Sequence, residues 1–381
     1  MTKKYDFIIV GGGLVGTLAS LVLSDKDYSV CLIEKNQFHK IITDTYSPLS
    51  LSLNSVNFLK EKKLWDESAF KSNNIDKLTI KLFNSFNTVF FTSKDLNLNS
   101  LGSVIDKAAL LSYLREKATN TKNIRVIDNI NVELNNANSP FKINISNTST
   151  LIESDHLIVT DGANSKFAKK LGIISKKINY DQTSYIFNAK YDSVQSAAYQ
   201  IFTRKGVFAI LPGNKESQCL VATIHNKYID EFNFENEGPS STLLEKELRP
   251  YIKNLENFKL VYKHPLNTSR LDTWTQEQII FLGNSSQLLH PFGAQGFNFA
   301  IDCIKTIDLN SSNIFIDQEL NKTIKNKINK KRERLLKGID LTSSVLMQNN
   351  AVANITASFF AKALNISSIL RLRFLKRILN I

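Results

Sequence analysis

Cysteine is scarce in this 381-residue chain. The three thiols, Cys31, Cys219 and Cys303, show neither metal-ligand spacing nor even pairing. That excludes a disulfide framework and a zinc ribbon and fits a reducing compartment. Arginine is also short: only ten of the 48 cations are arginines, and none precedes Arg115. Long apolar runs are missing. The uncharged stretches Ile279–Ile301 and Leu341–Ala361 are interrupted by Asn, Gln, Ser or Gly, unlike a membrane span. The apolar run in MTKKYDFIIVGGG is too short for a secretory core and is broken by glycines, so neither a signal nor a transit peptide is expected. No Ser–His–Asp or Cys–His arrangement is visible in the order of the residues.

What is present is an ordinary folded composition. Hydrophobic residues make up 43% and charged residues 22%, which excludes disorder and collagen-like repeats as the main description. The length suits one large enzyme domain and a smaller second one. Most of the +13 net charge lies after Gln318, where 13 Lys/Arg face 3 Asp/Glu. The densest basic part, Lys322–Lys337, has no aromatic residue to stack on bases, and no nucleic-acid-binding signature occurs. No nucleic-acid partner is therefore expected. Further on, Arg371, Arg373, Lys376 and Arg377 alternate with Leu370, Leu372, Phe374, Leu375, Ile378 and Leu379. As a helix this segment is apolar around most of its circumference. It is either buried or sunk into an anionic membrane surface, while a solvated basic face remains the plain alternative for the region before it.

The first chemical motif is DFIIVGGGLVGTLASLVL, in which Gly11, Gly13 and Gly16 form G-x-G-x-x-G. The first glycine permits a tight turn, the second lets backbone approach a pyrophosphate, and the third lets helix pack on strand. A helix starting at about Leu14, with Val15 in its first turn, aims free N–H groups at the phosphates. A second β-branched run, Ser29–Ile33, ends at Glu34, followed by Lys35. An acid there accepts hydrogen bonds from a ribose hydroxyl and repels a 2′-phosphate. Two later segments repeat the theme of a buried strand ending in a glycine turn. His156–Ile173 carries Asp161-Gly162, and Ile279–Cys303 carries Gly283-Asn284, His290-Pro291 and Gln295-Gly296. Three glycine-bearing turns imply a long ligand with several anchor points.

Taken together, these segments resemble the dinucleotide, D-G and G-D motifs of the FAD-dependent aromatic hydroxylases, the class A flavoprotein monooxygenases. The run Gly283-Asn284-Ser285-Ser286-Gln287-Leu288-Leu289-His290-Pro291-Phe292-Gly293-Ala294-Gln295-Gly296-Phe297-Asn298 is most similar to the ubiquinone-biosynthesis branch, the octaprenyl-methoxyphenol hydroxylases, where Asn replaces the G-D aspartate. The resemblance implies an α/β fold of p-hydroxybenzoate-hydroxylase type, with a Rossmann-like FAD-binding domain, an inserted mostly antiparallel β substrate domain and a helical C-terminus. It implies FAD as cofactor. Gly11, Gly13, Leu14, Val15 and Gly16 would take the pyrophosphate, and Glu34 with Lys35 the adenosine ribose. Asp161, Gly162, Gly283 and Asn284 would lie along the pyrophosphate and ribityl chain. Pro291, Gln295, Gly296, Phe297 and Asn298 would lie at the flavin ring, with His290 and Pro291 positioning ring or substrate. No metal is implied. The activity implied is hydroxylation of a polyprenyl-phenol of ubiquinone biosynthesis by O2 through a flavin hydroperoxide, with NAD(P)H as donor. No second nucleotide fingerprint is visible, as the family leads one to expect. Other ubiquinone-biosynthesis proteins are the expected partners. The expected place is the cytoplasm, with a peripheral contact on the inner face of a bacterial membrane through the basic C-terminus.

The chain departs from the family at four places. Ser47 and Ala168 stand where arginines are usual, Cys303 replaces an aspartate with Asp302 one step away, and the A-G-Q-G order becomes Gly293-Ala294-Gln295-Gly296. These changes keep two alternatives open: a non-catalytic FAD-fold subunit of a quinone-biosynthesis complex, and a flavoprotein hydroxylase or reductase for another substrate. The expected organisation is a discontinuous FAD-binding domain (1–73, 101–178 and 264–310), a substrate domain (74–100 and 179–263) and a helical basic region (311–381). Apolar or alternating runs at Leu78–Leu82, Val89–Thr92, Ser184–Ala189, Ala198–Thr203, Val207–Leu211 and Cys219–Ile224 predict the substrate sheet, with a helix near Leu243–Ile252 after a break at Gly238-Pro239-Ser240-Ser241. Tyr185, Phe187, Tyr199, Phe202 and Phe208 are candidates to line an aromatic pocket, with sheet packing the plain alternative. Trp65 and Trp274 read as core or boundary residues.

Overall fold

A computed structural model describes residues 2–40, 47–82, 88–135, 138–145, 151–192, 196–213, 218–232, 234, 248–249, 251–309, 318–347 and 351–379. The break at 238–241 and most of the helix expected before Ile252 lie outside them.

The apolar runs of the first half build one sheet. The strand Thr2–Val10 lies between Leu151–Val159 and Val30–Ile33, and all three run parallel. Ile279–Phe281 joins one side in parallel and Ile124–Ile127 the other. Their central residues are buried on both faces, which is why they read as continuous apolar runs rather than alternating ones. On one face lies the helix Leu14–Ser24, whose Leu18 and Val22 join a core with Ile304 and Ile307 of the helix Gln295–Asp308. On the other face Phe141 and Ile143 of an antiparallel hairpin close a second core with Phe167. From Thr2–Val10 the chain continues to one neighbouring strand and later returns to the other. The order reverses at the carboxyl end of that strand, and open α/β sheets bind ligands at such a point. Gly11–Gly13 sit there.

The second sheet has eight strands, in the order Gln287–Leu288, Lys253–Leu271, Ser175–Asp192, Gln218–His225, Gly206–Leu211, Ala197–Phe202, Lys77–Lys81 and Thr88–Thr92. All but one of the pairings are antiparallel. Each run expected to form the substrate sheet lies in it. The expected limits at 178/179 and 263/264 fall inside Ser175–Asp192 and Lys253–Leu271, so these two strands carry the chain continuously from one part of the molecule to the other. Strand alternation sorts the aromatic candidates. Tyr185, Phe187, Tyr199 and Phe208 share one face and pack with Phe232, Phe234 and Leu248 in a closed core. Phe202 points to the opposite face, into a cluster with Phe91, Val104 and Leu364. The aromatic set is thus divided by the sheet, and all five of its members are packing residues.

A small sheet of Pro48–Ser52, Gly102–Asp106 and Ser72–Ile75 lies beside these two. The described C-terminal residues are helical, in Gln318–Met347, Ala351–Ile366 and Ser368–Leu379. Trp274 is buried in the first core, and Trp65 packs against it from the edge.

Candidate cofactor and substrate site

The glycines around the switch point divide into two kinds. A Cβ on Gly16 would run into the carbonyl of Gly11, and one on Gly12 would meet the Phe38 ring at 2.8 Å. Gly11, at φ +108°, closes the tight turn against Thr160. These positions are closed by the protein itself. Gly13, Gly162 and Gly296 have nothing within 4 Å of a hypothetical Cβ. They come from three segments far apart in sequence, and each leaves backbone bare for a ligand.

The loop around Gly12 is held from both sides. Its N–H donates to Glu34 Oε2 at 2.6 Å, and Glu34 Oε1 accepts from the Asn36 N–H at 3.0 Å. A carboxylate offers about four acceptor sites, so this buried group retains capacity for a ribose hydroxyl. The Gly12 carbonyl accepts from Arg115 Nε at 2.9 Å, from Arg115 Nη2 at 2.8 Å and from Thr17 Oγ1 at 3.1 Å. Arg115 Nη1 donates to the Phe38 carbonyl, and its guanidinium stacks 4.6 Å from the Phe38 ring centroid. With the carbonyl of the trans Gly12–Gly13 peptide turned inward, its N–H is turned outward to the bare side. Arg115 was not among the expected site residues. The available signal was its type: it is the first arginine of a lysine-rich chain, and its rigid planar fork serves two carbonyls in fixed geometry.

Asp161 stands at the end of Leu151–Val159. Its Oδ2 accepts from Ser165 Oγ at 3.1 Å and from the Lys166 N–H at 2.9 Å. Its Oδ1 is buried without a hydrogen-bond partner, and burial raises its pKa above the usual carboxylate range. A buried acceptor left open is costly unless a ligand supplies the donor. Next to bare Gly162, it suits a polyhydroxylated chain. Gly283, at φ +64°, is blocked by Val15 at 2.8 Å, which locks this turn onto the first helix, and Asn284 is exposed beside it. Leu14 is buried in that helix, and Lys35 is exposed beyond Glu34.

At the third turn, Gly293 and Ala294 both have positive φ, +67° and +53°. The altered residue order therefore places a Cβ in a left-handed position, at a cost of about 1 kcal/mol. The helix Gln295–Asp308 starts immediately after it, so the N–H groups of Gln295, Gly296 and Phe297 fall in its first turn, where the helix dipole favours negative charge. Asn298 is occupied by backbone. Its Oδ1 accepts from the Ser52 N–H, and its Nδ2 donates to the carbonyls of Ser50 and Ala294. It is a brace between this helix and the small sheet. Pro291 is exposed, whereas His290 is 2% exposed and faces inward. Burial lowers the His290 pKa to about 4, so the ring is neutral at physiological pH. Its Nε2 lies 3.2 Å from Gln182 Oε1, and Tyr180 packs edge-on 5.0 Å away.

The departures have structural explanations. Ala168 is buried beside Phe167 in the second core, where it serves packing. Cys303 is buried in the first core, which pushes its thiol pKa far up. Asp302 pairs with Lys331 at 2.8 Å, away from the glycine loop. Ser47 donates its N–H to Asp106 at 3.5 Å. One arginine arrives from the basic helix: buried Arg332 donates to Gln287 Oε1 at 2.8 Å.

The family model described as "FAD binding domain" matches residues 4–305. The chain belongs to the FAD binding domain family. FAD is thus the cofactor of this chain. The chain is 24% identical over 375 residues to the ubiquinone biosynthesis monooxygenase COQ6, mitochondrial, of Dictyostelium discoideum, covering 80% of this chain and 75% of that one. It is 23% identical over 305 residues to the 3-demethoxyubiquinol 3-hydroxylase of Escherichia coli (strain K12), with coverage of 77% and 76%. The fold is shared with p-nitrophenol 4-monooxygenase PnpA from Pseudomonas putida DLL-E4, at a TM-score of 0.79, 11% identity and coverage of 100% and 98%. It is shared also with PqsL from P. aeruginosa in complex with 2-aminobenzoylacetate, at 0.74, 14%, and coverage of 93% and 100%. In this FAD-binding chain no group of three or more His, Cys, Asp or Glu that could hold a metal occurs among the described residues.

Proposed function

We propose that this protein is an FAD-dependent monooxygenase that hydroxylates the aromatic ring of a polyprenyl-phenol in ubiquinone biosynthesis, with O2 as co-substrate and NAD(P)H as donor. The observation that carries the reading is the cradle itself. Gly13 follows the strand Thr2–Val10, the orphaned Asp161 oxygen follows Leu151–Val159, and the bare Gly296 opens the helix Gln295–Asp308. FAD, when bound, supplies the redox chemistry and the activation of O2. The protein supplies binding, orientation and exclusion of water. The Gln295–Phe297 N–H groups hold negative charge at the ring end of the site. His290 is neutral and works by position: through Gln182 it fixes the turn carrying Pro291 to the substrate sheet.

The test is the visible spectrum of the purified protein under anaerobic NADPH, with and without a small methoxyphenol. Flavin bands are expected to bleach, to recover in air, and to yield a product one oxygen heavier when the phenol is present. A protein that takes up no flavin from excess FAD would instead support the non-catalytic subunit, the reading favoured by the loss of arginine at Ala168. Uptake and reduction without ring hydroxylation would move the assignment to another flavoenzyme class.

A polyprenyl chain costs about 0.8 kcal/mol per CH2 to move into water, so the substrate is met at a bilayer surface or handed over by a partner protein of the same pathway. No described helix is long and apolar enough to cross a membrane. The last two helices instead expose Phe359, Ile366, Ile369 and Leu370. Lys362, Arg373 and Lys376 are exposed among them, and no acid occurs after Asp340. A peripheral contact with the anionic inner face of a membrane follows from that chemistry. Replacing Ile366, Ile369 and Leu370 together by Ser is expected to abolish flotation with anionic vesicles while FAD affinity is kept. Unchanged flotation would remove the membrane contact from this face. Substitutions serve better than a deletion from Leu364, because Leu364 is itself buried in the core beneath.

A further inference from the structure

The substrate sheet has one face closed and one face incompletely closed. Tyr185, Phe187, Tyr199 and Phe208 fill the closed face. On the opposite face the strand register places Ile186, Val221, Ala209, Gln200 and Ile80 in a straight row across five neighbouring strands. Ile186 pairs with Val221, Val221 with Ala209, Ala209 with Gln200, and Gln200 with Ile80. All five are half-buried, while their neighbours along each strand on the closed face are buried, apart from the half-buried Lys81 at the edge. At about 4.8 Å per strand the row is about 19 Å long. Four of its five members are apolar, and the small Ala209 is at its centre.

Both ends of the row are informative. Along Ser175–Asp192, Gln182 and Ile186 point to the same face, in an unbroken register with Gln218–His225. Gln182 is the residue that touches His290. The row therefore lies on the side of the sheet that meets the His290–Pro291 turn, about 13 Å along the strand from Gln182. At its other end Ile80 belongs to the cluster containing Phe374 and Leu364 of the last two helices. Those helices carry the exposed Ile366, Ile369 and Leu370. The row thus leads from the side of the sheet that meets the His290–Pro291 turn toward the helices that carry these exposed apolar residues.

We infer that this row is the resting place of the substrate's apolar chain, which runs across the sheet from the ring site toward the C-terminal helices. The inference rests on the polyprenyl-phenol reading above and adds where the chain lies. The row has no charged side chain, so it selects by length and shape of an aliphatic chain and leaves recognition of the ring to the His290–Pro291 end.

The experiment measures Kd, from perturbation of the bound-flavin spectrum, for methoxyphenols carrying zero to three isoprene units. The proteins are the holoenzyme, Ala209→Phe and Val221→Ala. In the unaltered holoenzyme Kd falls with each added unit. Ala209→Phe, which fills the middle of the row, weakens the three-unit phenol by about 20-fold or more and leaves the unprenylated phenol within twofold. Val221→Ala removes bulk instead of adding it and serves if the larger side chain impairs folding; it weakens only the long-chain ligand, by about fourfold. Equal weakening for every ligand, or no chain-length dependence in the unaltered protein, overturns the inference. Chain-length-dependent binding that Ala209→Phe and Val221→Ala leave intact overturns it as well. Chain-length-dependent binding lost in the variants, without ring hydroxylation in the unaltered protein, supports the row and defeats the hydroxylase reading instead.

Discussion

Replacing Gly13 by valine is expected to weaken FAD binding roughly 100-fold with little change in apoprotein melting. Gly13 has φ −75° and ψ −175°, an extended conformation that any residue adopts. Nothing of the protein lies within 4 Å of the added Cβ, so the side chain begins in open space and the cost to the folded chain is small. The open space is where the pyrophosphate must approach the start of the Leu14–Ser24 helix. Losing one or two charge-assisted hydrogen bonds there costs about 3 kcal/mol, or roughly 100-fold in Kd. Gly16→Ala is the contrasting variant. Its new methyl would meet the Gly11 carbonyl, so the strand and helix must separate, and apoprotein stability falls together with FAD affinity. Titration with FAD and thermal melting of both apoproteins check the pair. Equal destabilisation by the two variants would mean that Gly13 is structural and that the ligand approaches elsewhere.

Arg115→Leu is the second large effect. The side chain is 8% exposed and serves two carbonyls, those of Gly12 and Phe38. Its removal leaves the Phe38 oxygen without that donor and leaves Thr17 as the remaining side-chain donor to Gly12. A buried acceptor left unsatisfied costs about 1–3 kcal/mol, so about 3 kcal/mol of stability is lost in urea unfolding. FAD affinity falls further than stability alone explains, because the Gly12 carbonyl is then held by Thr17 alone and the Gly12–Gly13 N–H is less firmly aimed at the ligand. Arg115→Lys restores the charge without the fork and is expected to recover part of the stability and little of the affinity. If lysine restores FAD binding fully, charge rather than peptide orientation is what Arg115 contributes.

A dinucleotide-binding unit was legible in the residue order, because its parts are local, and the resemblance of three ordered motifs implied FAD. A turn after a strand, a helix behind it and an acid at the next strand end all fall within a few dozen residues. Each glycine's role follows from backbone sterics that operate over two or three residues. Gly11, Gly16 and Glu34 occupy the places that this spacing implies. The substrate strands were legible as well, since alternation along each run survives into the sheet. The aromatic pocket was not. Tyr185, Phe187, Tyr199 and Phe208 carry the right chemistry, but which face of a sheet is covered depends on elements packed from far away, here Phe232, Phe234 and Leu248. Asn298 was expected at the flavin ring, whereas its occupation by the Ser50 and Ser52 backbone was not legible, because that contact spans some 250 positions.

The sequence by itself therefore determined a glycine turn of dinucleotide-binding type after the first strand, the strands of the second sheet and a helical tail. These rest on short-range backbone geometry and on hydrophobic periodicity. Only the tertiary structure decided that Arg115 orients the Gly12–Gly13 peptide, that His290 is buried and neutral against Gln182, and that five residues from five strands align in one half-buried row. Each of those depends on which distant segments are brought into register, and register is set by packing of the whole chain rather than by any one stretch of it.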